Sequence, residues 1–167
     1  MLHLKPLSPD AVPGALAKAE RYRLLNEPGQ AESICLDVLA VDPFNQQALV
    51  TLILALTEQF GDQPSAAMQQ AREILPRLAD EYSRSYYAGI ICERRATAQL
   101  RQGGHGAVEA AREWLKEALE HYHEAESRRP PHNDDAILRW NACVRTLQRH
   151  PEVTGVEDRV SRLMMLE

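Results

Sequence analysis

From Val12 onward, apolar side chains recur every three to four residues, and only short clusters of proline, glycine, asparagine and aspartate interrupt them. That spacing keeps one face of an α-helix apolar, whereas a half-buried strand needs strict alternation, and no stretch alternates long enough to argue for one. The stripes are explicit. Val12, Ala15, Ala19, Tyr22 and Leu25 form the first, and Ala31, Ile34, Cys35, Val38 and Val41 the second. Leu49, Leu52, Ile53, Leu56 and Phe60 follow, then Met68, Ala71, Leu75, Leu78 and Tyr82. A fifth helix runs from about Ser83 to Gln102 and a sixth carries Val108, Ala111, Leu115, Ala118, Tyr122 and Ala125. Ile137, Trp140, Val144 and Leu147 mark a seventh, and Val156, Val160, Leu163 and Met164 a short eighth. The chain therefore reads as all-α.

The breaks between stripes have their own chemistry. Ser8 looks like a capping residue before Pro9, and Asn26-Glu27-Pro28-Gly29 reads as a four-residue turn. Asn45 can cap the third helix, and Asn133-Asp134-Asp135 sets carboxylates at the positive end of the seventh. Pro76 falls inside the fourth stripe, where it removes a backbone donor, so a kink is expected near Arg72–Leu75.

Composition narrows the function. At 167 residues the chain suits one domain, and a net charge of −5 gives no support to nucleic-acid binding, which needs excess Lys and Arg. One segment, Ser83–Arg112, is locally basic, which fits either a solvated helix face or a site for an acidic peptide. Cys35, Cys92 and Cys143 are far apart with no CxxC pair, so they read as small buried hydrophobes. The amino terminus has no apolar core of signal-peptide length and no run is long enough to span a membrane, which makes a reducing cytoplasm the expected compartment.

Helix pairs raise the question of a repeat. Tyr22, Ala31 and Pro43 stand at the Tyr, Ala and Pro positions of a tetratricopeptide repeat, so Val12–Asn45 resembles one such 34-residue unit. Cys35 stands where that pattern has Phe, Ala15 for its Trp, Lys18 for its Leu and Ala19 for its Gly. Leu56 follows Tyr22 by one period, and Ala111 opens a second helix longer than the first repeat's. The resemblance implies antiparallel pairs at about 10–43, 45–82, 83–129 and 133–166, stacked as a short right-handed superhelix with a C-terminal capping helix and a tail at 1–7.

In that family the first helix of each pair lines a concave, partner-binding groove. Carried over by position, the groove takes Leu16, Glu20 and Arg23 from the first pair and Val50, Leu54 and Thr57 from the second. The third contributes Tyr87, Ile91, Arg94 and Arg95, and the fourth Leu138, Ala142 and Arg145. This describes an apolar middle with arginines toward one end, suited to a protein or peptide partner with an acidic end. The protein's own segments, Met1–Leu7 or Val156–Leu166, are the competing occupants. Leu16, Glu20 and Thr51 stand where some members hold a carboxyl-terminal carboxylate, and they cannot form that clamp.

Catalytic patterns are weak. His121 and His123 are two apart and point to different helix faces, and His123-Glu124-x-x-Ser127 lacks the second histidine of a zinc-protease motif. Gly103-Gly104-His105-Gly106 follows a helix and lacks the ending of a phosphate loop. The expectation is a non-catalytic interaction scaffold with no metal or cofactor. Self-association into a homo-oligomer is the alternative from a different class.

Overall fold

A computed structural model describes residues 2–61 and 64–150. Among these residues the chain forms seven α-helices, two short 3-10 turns and no strand. The helices are α1 (Val12–Leu24), α2 (Pro28–Val41), α3 (Gln46–Thr57), α4 (Pro64–Ile74), α5 (Glu81–Gln102), α6 (Ala107–Ser127) and α7 (Asp135–Arg149). Each packs against the next, and α1 also packs on α3, and α3 on α5. The expected eighth helix lies outside the described residues. Within them, no helix is long and apolar enough to cross a membrane.

The punctuation explains most helix ends. The Asn45 side chain accepts a hydrogen bond from the Ala48 amide at 2.9 Å, and Asp80 accepts one from the Ser83 amide at 2.7 Å. Each satisfies an amide that the first turn leaves without an intrahelical partner. Gly103 and Gly106 sit at φ +65° and +76°, a region that favours glycine, so the turn between α5 and α6 suits the sequence there.

Three local expectations need correction. Ser8 makes no side-chain cap, and the chain enters α1 through a 3-10 turn at Pro9–Ala11. The second helix takes in Pro28 and Gly29, because proline fits a first helical turn, where its missing N–H costs nothing. Pro76 does more than kink the fourth helix. It sits in a 3-10 turn, Leu75–Arg77, that ends α4, and Tyr82 belongs to α5.

Two apolar clusters fill the interior. The first gathers α1 to α4 around Leu16, Ala19, Leu49, Ile53 and Phe60, with Ile91 of α5. The second joins Ile90, Cys92, Ala111, Leu115, Tyr122 and Cys143 across α5, α6 and α7. Leu25, expected on the first stripe, is exposed where α1 has ended. Ala31, on α2, is fully buried in the first cluster. Ala31→Leu should therefore overpack that cluster and cost about 1–3 kcal/mol. A thermal melt of the variant that matches the parent would remove Ala31 from any tight crossing.

Between α5 and α6 the backbones come close. Gly89 is buried, and a Cβ added there would lie 2.5 Å from a ring carbon of Tyr122. The Tyr122 ring is fully buried, and its hydroxyl donates to Glu93 at 2.5 Å. Burial, followed by the Glu93 charge, pushes that hydroxyl far above the ordinary tyrosine value.

Candidate functional site

Because α1 packs on α3 and α3 on α5, side chains one heptad or more apart in different helices meet along one face. Arg23 of α1 reaches across to Glu58, donating from Nε at 3.2 Å and from Nη2 at 2.7 Å. Its Nη1 donates to Glu20 at 3.1 Å, and the Thr51 hydroxyl donates to the other Glu20 oxygen at 2.8 Å. Burial would lower the Arg23 pKa, but the bonds and charge of Glu58, with help from Glu20, raise it above the ordinary guanidinium value. Arg94 of α5 adds a second guanidinium to Glu58 at 3.5 Å. Farther along, Arg139 of α7 pairs with Glu93 of α5 at 3.3 Å.

These pairs border a groove of about 560 Å³. Its lining takes Thr57, Glu58 and Phe60 from the end of α3 and the turn after it, Glu93, Arg94, Thr97 and Arg101 from α5, and Arg139 from α7. Arg101, exposed on the last turn of α5, has no hydrogen bond or ion pair among the described residues. The lining thus carries three guanidiniums and two carboxylates. Both carboxylates already face arginine, so the free valence of the groove is cationic. It can recognise a carboxylate or phosphate-like group, or backbone amides, through charge-assisted hydrogen bonds. Neither histidine nor cysteine lines it.

The expected groove residues scatter. Leu16 and Ile91 are buried in the first cluster and cannot meet a partner. Val50 and Leu54 are part-buried and pack against the first and second clusters. Tyr87 is half-buried and touches both; burial and its neighbour Tyr86 push its hydroxyl up to about 12. The apolar middle is therefore corrected to a polar one: Leu16, Leu54 and Ile91 pack against the neighbouring helices, and Glu20, Arg23, Glu58 and Arg94 pair with one another across α1, α3 and α5. Of the expected set, Thr57 and Arg94 line the cavity. Arg95 turns the other way, onto a second cavity of about 500 Å³ with Met68, Arg72 and Trp114, and its Nη1 is buried without a hydrogen bond. Leu138 and Arg145 are exposed on α7, outside the groove lining.

Sequence reasoning missed Glu58, Glu93 and Arg139 as groove residues, and placed Arg101 only within the locally basic segment Ser83–Arg112. Their pairings span separations of 35 residues for Arg23 with Glu58 and 46 for Arg139 with Glu93, which no local spacing rule reaches. Nothing matches the chain among protein-family models, curated proteins or solved structures.

Proposed function

We propose that the chain is a non-catalytic, tetratricopeptide-like scaffold that receives an acidic peptide or helix in the groove between α3, α5 and α7. The observation that carries this reading is the unpartnered Arg101 beside Arg94 and Arg139, at the mouth of a groove large enough for several side chains. Packing of alternate helices, α1 on α3 and α3 on α5, supports the family reading. The three free, buried thiols suit a reducing compartment such as the cytoplasm.

Arg94→Glu is a poor test, because it would set a new carboxylate against Glu58 inside a part-buried network. Arg101→Glu is cleaner, since the side chain is exposed and unpaired and stability should hold within about 0.5 kcal/mol. Peptides enriched from a random library on the folded chain should be rich in Asp and Glu, and their binding should weaken with salt. Arg101→Glu should weaken it by roughly 10–100-fold, the worth of a charge-assisted bond of about 1.5–3 kcal/mol. Enriched peptides without acidic residues, or affinity indifferent to Arg101, would move the binding face elsewhere.

Self-association is the second reading, favoured by the large apolar side chains left in solvent: Leu24, Phe44 and Leu138 at 87%, 74% and 63% exposure. Light scattering that gives a monomer at every concentration removes it.

A further inference from the structure

Away from the groove, three potential metal ligands converge on the seam between α5 and α6. Glu117 and His121 lie four residues apart on α6, which places both on one helix face. Cys92 comes from α5, and one ligand atom from each of the three lies within 4.8 Å of the others. Cys92 is buried, at 1% exposure. Glu117 and His121 keep 40% and 33% of their side-chain surface in solvent, so the cluster opens outward from a buried sulfur.

We infer that Cys92, Glu117 and His121 form a binding site for one zinc ion, with water in the fourth position. Thiolate, imidazole and carboxylate are the donor types zinc takes, and a mixed set of this softness excludes magnesium and calcium. Bond lengths of about 2.0–2.3 Å in a tetrahedron put the donor atoms about 3.5 Å apart. The ligand atoms lie within 4.8 Å of one another, with His121 and Glu117 at 3.8 Å, so they close toward that spacing as the ion binds. Binding exchanges the thiol proton for the metal, so one proton leaves per ion and affinity falls as pH is lowered.

Arg72 of α4 faces the same cluster and donates to Glu117 at 2.9 Å, while its guanidinium lies 5.4 Å from the centre of the Trp114 ring. It competes with the ion for the carboxylate. The site bridges α5 and α6, so the bound ion fastens these two long helices together.

The test uses the full chain with cobalt as a spectroscopic stand-in for zinc. One equivalent of cobalt should give thiolate-to-metal absorption in the near ultraviolet and the visible bands of a tetrahedral ion. Zinc should displace it and raise the melting temperature. His121→Ala and Glu117→Gln sit at the surface and should fold, yet each should weaken cobalt binding by more than about tenfold. Cys92→Ser should abolish the thiolate band. Arg72→Gln should tighten binding, which a merely structural role for the cluster would not produce. Absence of the band at one equivalent, its survival in Cys92→Ser, or undiminished affinity in His121→Ala would overturn the site.

Discussion

Gly89→Ala should destabilise the fold by about 1–3 kcal/mol, and the same substitution should become neutral or stabilising once Tyr122 is cut to alanine. An added methyl at position 89 would lie 2.5, 2.7 and 2.9 Å from three atoms of the Tyr122 ring. That ring cannot step aside cheaply, because it is fully buried, tilts against Tyr86 and is held by its hydrogen bond to Glu93. Tyr122→Ala alone should cost about 3–5 kcal/mol, the range for removing a buried aromatic ring. It also leaves the Glu93 carboxylate without its hydroxyl donor, with Arg139 as the remaining partner. In that background the ring atoms that crowd a Cβ at position 89 are gone, and alanine regains about 0.8–1.0 kcal/mol over glycine in a helix. Urea denaturation of the four proteins in this cycle measures the coupling. Additive effects of the two substitutions would mean that α5 and α6 do not cross through this contact.

Raising the pH above about 9 should weaken the protein steeply. Burial, then the nearby Glu20, pushes the Cys35 thiol from 9.0 to about 12, against the opposing pull of Arg23. Burial and Glu93 raise Cys143 to about 12, with Arg139 opposing. Unfolded, both thiols lose their protons near the ordinary value; folded, they hold them until about pH 12. Between those values the unfolded chain binds fewer protons, so stability falls as pH rises. Each thiol contributes roughly 1.4 kcal/mol per pH unit over that window, about 2.7 kcal/mol for the pair. Below about pH 8 both states are protonated and the dependence from this source vanishes. Urea midpoints across a pH series give the slope, and Cys35→Ala with Cys143→Ala should lessen it by the share of these two thiols. A flat profile in the parent between about pH 9 and 11 would show that the thiols reach solvent in the folded chain.

Periodicity made the helices legible because each stripe reports burial directly: Leu49, Leu52, Ile53, Leu56 and Phe60 are all buried. It could not say which neighbour covers a face. Leu16 and Ile91 were assigned to an open groove on the strength of their helix position, and adjacent helices cover both. Pro76 was read as a kink because the apolar spacing continues through it, yet Leu78 reaches the core from beyond a 3-10 turn rather than from the same helix. Arg94 and Arg95 are sequence neighbours roughly 100° apart on a helix, so one serves the groove and the other the opposite cavity. The cysteine, glutamate and histidine that converge at the α5–α6 seam were equally hidden, since Cys92 lies a full helix away from Glu117.

Ile90, Ile91 and Cys92 are consecutive, yet the middle residue belongs to the first apolar cluster and its two flanking neighbours to the second. A single turn of α5 is thus the shared wall of two cores, with Tyr87 and Trp114 touching both. Opening either core strips one side of that turn and loosens the other, so the two halves are bound to unfold as one cooperative unit. A chain built this way should not lose the packing of one end while keeping the other end native. Substitutions on the groove side of α5 should therefore be felt in the stability of its seam with α6, since one turn of this helix packs into both cores.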